Sequence, residues 1–288
     1  MDQDAGGAEG SGGDAFVVLR PPAPGRFVFA SPHSGVIYPP DMGADPALPE
    51  DSLRSAEDAL VDRLIASGVD HGATVVLARP GRAWVDLNRD PADLDPDLID
   101  GACGGPVSAR TAAGYGVIPR LTGDGRALYA RRLTLDEARR RLEQTHRPYH
   151  RALADGMEAA RAGHGEAVLI DWHSMPARAT QGAGGARGPD VVLGDRHGSS
   201  CSPELTRRVR RAFEALGWRV ALNHPYAGGW TTQRWGRPSE GFHALQIELN
   251  RALYFDETAR APGPGWSRAG KGVARVIAEI LALAPDRT

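Results

Sequence analysis

Residues 167–176, AVLIDWHSMP, constrain this chain more than any other stretch. The opening run Ala167-Val168-Leu169-Ile170 contains no polar residue, the pattern of a strand covered on both faces inside a helix-flanked sheet. Asp171, His173 and Ser174 follow at once, and Pro176, which has no N–H to offer a ladder, stops regular continuation. Titratable groups at the end of a buried strand lie where α/β folds gather their loops around a crevice. A lone histidine in such a place is more often structural than catalytic, so its meaning depends on the other strand ends.

Other stretches repeat this form. Arg26-Phe27-Val28-Phe29-Ala30-Ser31 reads as a first core strand, left through the turn Pro32-His33-Ser34-Gly35. Ser52 predicts the N-cap of a helix over 53–67, with Leu53, Leu60, Leu64 and Ile65 on one face and Glu57 and Asp58 in its middle. Thr74-Val75-Val76-Leu77-Ala78 is a second buried strand. The alternating Ala83-Trp84-Val85-Asp86-Leu87 reads as a third, closing on Asn88-Arg89-Asp90-Pro91. Residues 91–130 form a long irregular segment of the kind that is either functional or disordered. Thr134 caps a long Arg- and Glu-rich helix interrupted at Pro148. Residues 181–189 are rich in Gly and read as a mobile connection. Strands at 190–194, 218–222 and 242–249, a helix from Ser202-Pro203 to Gly217 and an amphipathic helix over 270–284 complete the pattern. Strands and helices alternate without an internal repeat. This predicts one α/β domain over 16–288, with a mostly parallel or mixed sheet flanked by helices.

Composition narrows the function. The 288 residues carry a formal charge of −2, with arginines interleaved among acids, which argues against nucleic acid or a membrane surface as the main partner. No apolar run approaches the ~20 residues of a membrane-spanning helix. Residues 1–15 are acidic and Gly-rich, unlike a signal peptide, and read as a disordered tail. Cys103 and Cys201 are too few for a disulfide framework, fit the expectation of a reducing cytoplasm, and leave His and carboxylate side chains as the ligands for any metal.

His33, Asn88-Arg89, His173, Arg196-His197 and Glu248 each fall at or just beyond the C-terminal end of an expected strand, and so converge on one rim of the sheet. Two separated histidines plus a carboxylate make a catalytic zinc shell with a fourth position for water, whose pKa zinc lowers toward ~7. A carboxylate outside that shell would act as general base. Glu248, between Ile247 and Leu249 on a buried strand, fits that role; a salt bridge to Arg251 or another Arg is the plainer account. Asn88-Arg89 could clamp a carboxylate through the guanidinium fork, or fix its own loop through Asp86 or Asp90. No compact metal motif such as HExxH is present.

These motifs resemble the N-formylglutamate amidohydrolase (N-formylglutamate deformylase) family. The segments that carry the likeness are ASPHSGVIYP (30–39), SAEDALVDRL (55–64), WVDLNRDP (84–91), GVIPRL (116–121), RPYHRAL (147–153), LIDWHSMP (169–176), DVVLGDRHGSSCSPEL (190–205), YAGGWTTQRWGRP (226–238) and HALQIELNRALY (243–254). They run in order across nearly the whole chain except its ends. The resemblance implies a zinc-carboxypeptidase-like fold and zinc-dependent hydrolysis of a small-molecule N-acyl amino acid, as in histidine degradation. By that analogy His33 and His173 are zinc ligands. The carboxypeptidase pattern His-x-x-Glu is absent, since Val36 stands three residues after His33, so the acidic ligand is expected from Glu57-Asp58, and Asp58 is chosen. Glu248 is then the general base, Asn88 and Arg89 hold the substrate α-carboxylate, Arg196 contributes to substrate binding, and Arg120 serves a carboxylate or the oxyanion. Gln233-Arg234-Trp235 departs from the family, which carries residues such as Glu-His-Tyr there, and Trp230 and Trp235 could reshape the pocket. Three alternatives stay open: another N-acyl amino acid or peptide amide as substrate, a non-catalytic carboxylate-binding module, and a Cys201 nucleophile beside His197.

Overall fold

The structure is a computed structural model that describes residues 10–11, 15–102, 107–180 and 188–282. Its frame is an eight-stranded sheet: β1 (Gly10–Ser11), β2 (Phe16–Leu19), β3 (Phe27–Ser31), β4 (Thr74–Ala78), β5 (Ala167–Met175), β6 (Val191–Gly194), β7 (Val220–Leu222) and β8 (Phe242–Asn250). The spatial order is β1-β2-β4-β3-β5-β8-β6-β7. The four central strands β4, β3, β5 and β8 are parallel, whereas β2 and β6 join them antiparallel. The single α/β domain with a mixed, mostly parallel sheet is therefore as expected.

Burial explains why these segments became strands. Every residue of β5 and β8 is buried. Side chains alternate between two cores: Leu169 and Ala244 face one, Ile170, Trp172 and Ile247 the other. The first core is covered by α4 (Arg147–His164) through Tyr149, Leu153 and Met157. The second is covered by α2 (Val61–Ile65), α5 (Pro203–Glu214) and α7 (Trp266–Leu281). Each fully buried large apolar side chain contributes roughly 1.5–3 kcal/mol, and this double cover is what fixes the register.

Four segments differ from expectation. β5 does not end at Ile170 but runs to Met175, because β8 keeps pairing with it as far as Asn250. The helix expected over 53–67 is split. A single turn, α1 (Glu50–Leu53), is followed by irregular backbone up to α2, since the Asp58 N–H leaves the helical ladder to donate to the His33 carbonyl at 2.9 Å. Leu60 sits at φ 63° to make that break. Residues 83–87 are a buried loop rather than a strand: the Trp84 N–H donates to Gly81 and the Asp86 N–H to Val117, so no ladder forms. Thr134 does cap α3 (Leu135–Arg141) in a capping box with Glu137. The chain passes Pro148 through one π turn, Leu142–His146, and continues as α4. α6 (Trp230–Trp235) lies within the Gly- and aromatic-rich segment. Of the tail expected at 1–15, Gly10–Ser11 pair with β2 and Ala15 is buried; 1–9 and 12–14 lie outside the described residues, as do most of the connection at 181–189 and Cys103. Among the described residues no helix is long and apolar enough to cross a membrane.

Candidate active site

The parallel strands deliver their C-terminal ends to one rim. His33 lies just beyond β3, Asp86 and Asn88 in the loop after β4, Asp171 and His173 late in β5, and Gln246 and Glu248 late in β8. Register places Glu248 directly beside His173 and Gln246 beside Asp171. The same alternation that puts Leu169 and Ala244 in the first core brings these four polar side chains to that face above it.

At the centre, His173 Nδ1 lies 3.1 Å from His33 Nδ1 and 3.0 Å from Asp58 Oδ2, and His33 Nδ1 lies 3.3 Å from the same oxygen. His33, Asp58 and His173 form a buried group of the kind that could hold a metal ion. A tetrahedral zinc with bonds of 2.0–2.1 Å would require ligand atoms roughly 3.3 Å apart, so the donor set fits. The other ring nitrogens are occupied: His33 Nε2 is 2.7 Å from Asp86 Oδ1 and His173 Nε2 is 3.1 Å from Asp171 Oδ2. With each Nε2–H donated to a carboxylate, both Nδ1 lone pairs point at the Asp58 oxygen, and three acceptors so arranged demand positive charge between them. The protonation equilibria report the same demand. Burial alone would raise Asp58, but His173 and His33, which donate to it and bring charge when Nδ1 takes up a proton, hold it well below the usual carboxylate range. Burial would likewise lower His173, and Asp171 and Asp58 outweigh it and hold the imidazole well above its ordinary value.

Asp58 is fixed from its other side. Its Oδ1 accepts from Ser174 Oγ at 3.0 Å and from Arg251 at 3.4 Å, and Arg251 Nε also donates to Ser174 Oγ. Glu57 turns away to Tyr38, Arg54 and Arg260. The break between α1 and α2 thus sends the two adjacent acids to different partners. Arg251 is engaged with Asp58 and Glu257, so the plainer account of Glu248 as its salt-bridge partner does not hold. Glu248 Oε1 instead accepts from Gln246 Nε2 at 2.8 Å, and Gln246 Oε1 accepts the Gly229 N–H at 2.8 Å. Burial, acting with Asp58 against the opposing charge of His173, pushes the Glu248 carboxyl up to about 7.

These groups open into a cavity of about 260 Å³ lined by His33, Asp58, His173 and Glu248, together with Arg82, Arg89, Arg110 and Arg251. Two expected site residues are elsewhere: Arg120 and Arg196 are not among the lining residues. Arg120 pairs with the buried Asp95 at 2.9 Å and with Asp97 at 3.5 Å, because its loop folds back on 95–97. Arg196 stands at φ 51° in the turn after β6, where its backbone pairs with Ala227. Asn88 lines the cavity, but its amide is already used. Oδ1 accepts the Thr231 N–H at 2.9 Å, and Nδ2 lies 3.4 Å from Asp171 Oδ2 and 3.1 Å from His173 Nε2. It braces the Asp171–His173 pair. Arg89 Nε donates to the Tyr115 carbonyl, with Nη2 3.7 Å from Asp86.

Trp235 packs on Phe242, and Trp230 on His146 and His150; neither lines the cavity. Cys201 is buried with Sγ 3.3 Å from Thr206 Oγ1, away from the cavity lining. Sequence reasoning missed Asp86 as the partner of His33, Arg82 as the partner of Asp86, and Gln246 as the orienter of Glu248. Only Gln246 carried a local signal: two residues before Glu248 on a strand, it must share that face.

The profile of the N-formylglutamate amidohydrolase family matches residues 25–255. The N-formylglutamate deformylase of Pseudomonas aeruginosa is 31% identical over 258 residues, covering 88% of this chain and 90% of that protein. That of Pseudomonas putida is 32% identical over 234 residues, covering 80% and 82%. The crystal structure of N-formylglutamate amidohydrolase from Ralstonia eutropha JMP134 superposes with a TM-score of 0.87 at 34% identity, covering 93% of this chain and 97% of that one. With the profile spanning the strands and loops that build the rim, and likeness at this level over most of each chain, the protein belongs to the N-formylglutamate amidohydrolase family.

Proposed function

We propose that this chain hydrolyses the formyl amide of N-formyl-L-glutamate to formate and glutamate, with zinc held by His33, Asp58 and His173. The observation that carries the reading is the convergence of two Nδ1 atoms and one carboxylate oxygen beside a carboxyl poised near neutrality, in one cavity. The relatives named N-formylglutamate deformylase support the substrate. Zinc bound there would supply Lewis acidity, polarising the formyl carbonyl and acidifying a water.

The chain's own residues do the rest. Glu248 accepts a proton from the attacking water as the new C–O bond forms, and returns it to the amide nitrogen as the C–N bond breaks. Burial, which raises the Glu248 carboxyl above its ordinary value in the metal-free chain, makes it a stronger base than an exposed glutamate, which suits proton acceptance. Gln246, itself held by the Gly229 N–H, occupies one Glu248 oxygen and so keeps the carboxylate in one orientation. Asp86 and Asp171 hold the two imidazoles with Nδ1 inward. Arg82, which lines the cavity and is tied to Asp86, supplies positive potential where the carbonyl oxygen gains charge. Arg89, nearly buried on the cavity wall, takes the α-carboxylate.

The deciding assay is formate release from N-formyl-L-glutamate before and after treatment with a zinc chelator. Activity lost on chelation and restored by added zinc is expected. A protein inert toward this substrate at every zinc loading, or faster on an N-acetyl amino acid, would contradict the reading.

A further inference from the structure

Four guanidiniums line the cavity against three carboxylates, those of Asp58, Asp86 and Glu248. Three of the four have acidic partners. Arg82 pairs with Asp86 at 2.8 Å, Arg89 stands 3.7 Å from the same carboxylate, and Arg251 is shared between Asp58 and Glu257. Arg110 differs: among the described residues its guanidinium has no ion pair, it is exposed, and it still lines the cavity. Its position is built. It rides on a one-turn helix, Ala109–Ala112, capped by Ser108 Oγ, which donates to Asp93 at 2.7 Å, while the neighbouring Thr111 is wholly buried. The Tyr115 N–H donates to the Arg110 carbonyl, and the Tyr115 carbonyl accepts from Arg89 Nε at 3.1 Å, so one short loop ties Arg110 to Arg89. The two cations are close enough for Arg110 to oppose protonation of Arg89. Two guanidiniums kept on one wall, one deep and one at the mouth, match two carboxylates separated by a short aliphatic chain.

We propose that Arg110 is the residue that selects an acidic side chain, binding the distal carboxylate of an N-formyl dicarboxylic amino acid at the cavity mouth. The inference rests on the proposed deformylase reading. A neutral side chain of the same length would leave Arg110 unpaired yet still solvated, and would lose only that pair.

The experiment compares N-formyl-L-glutamate with N-formyl-L-glutamine, which has the same length without the charge, in the zinc-loaded wild type and in Arg110→Gln. The variant should lose roughly tenfold to a hundredfold in kcat/KM on N-formylglutamate, mainly through KM, and stay within about twofold on N-formylglutamine. Arg110→Lys should recover part of the preference, which a purely structural loss would not allow. Equal losses on both substrates, or a wild type indifferent between them, would overturn the assignment while leaving deformylation intact. A wild type inert on both overturns the deformylase reading and this one together.

Discussion

At the residue scale the site turns on one costly placement, Glu248, whose carboxyl is buried and, among the described residues, accepts one side-chain hydrogen bond, from Gln246. Burial raises it from its ordinary value to about 7, so between about pH 4.5 and 7 the unfolded chain has released a proton that the folded chain retains. Folding stability of the metal-free protein therefore falls as pH rises across that window and stays lower above it, by an amount on the order of 3 kcal/mol. Glu248→Gln removes that penalty. Chemical denaturation of the metal-free variant should show it more stable than wild type at pH 8, with the difference vanishing near pH 4.5. No difference at pH 8 would mean that Glu248 is not held at raised pKa. A buried carboxyl raised in this way is the kind of group found at catalytic positions, in keeping with the base role proposed for Glu248. His33 and His173 show the complementary arrangement, each ring pinned at Nε2 by a carboxylate so that Nδ1 faces inward.

At the scale of elements, legibility followed the backbone's hydrogen-bonding economy. β3, β4, β5 and β8 were readable because a strand buried on both faces leaves a continuous apolar run, and the polar residues ending β5 and β8 marked the rim. What sequence reasoning misplaced depends on contacts made across long separations. Ser52 to Ser67 has helical periodicity, but the Asp58 N–H is drawn to the His33 carbonyl. Residues 83–87 alternate like a strand yet find no ladder partner, and as a loop they deliver Asp86 to His33. Arg120 and Asp95 are 25 residues apart in sequence and meet only in the fold. Asn88 does line the cavity, as its place at the rim suggested, but nothing local tells that Thr231, on α6, donates to its Oδ1. The meeting of α6 and the 86–89 loop is tight enough to test. A Cβ on Gly229 would overlap the Asn88 side-chain amide, so Gly229→Ala should displace the brace on Asp171 and His173 and shift the backbone donor to Gln246. We expect destabilisation of about 1–3 kcal/mol and a loss of zinc affinity, read by competition with a chromophoric chelator. Unchanged affinity would show that the brace does not transmit to the metal group.

At the scale of the whole molecule, the His33–Asp58–His173 group ties together segments that are remote in sequence: the loop after β3, the broken helix near α2, and β5. A ligand held only by the folded arrangement stabilises that arrangement by mass action, by about 2.7 kcal/mol at a hundredfold excess over Kd. Zinc should therefore raise the Tm of the metal-free wild type in a concentration-dependent way, whereas His173→Ala should show little response and lower zinc content by elemental analysis. An equal Tm rise in His173→Ala would place the metal elsewhere. The two cores on either face of the sheet support the rim, and four arginines line the cavity that opens on it.

We propose that metal binding and proton transfer belong to different residues, His33, Asp58 and His173 for the first and Glu248 for the second. The most direct measurement is formate release from N-formyl-L-glutamate by zinc-loaded Glu248→Gln, with zinc counted in the same sample. One zinc per chain, as in wild type, with turnover reduced roughly 10²–10⁴-fold is the predicted result. Near-normal turnover at that zinc content would contradict it.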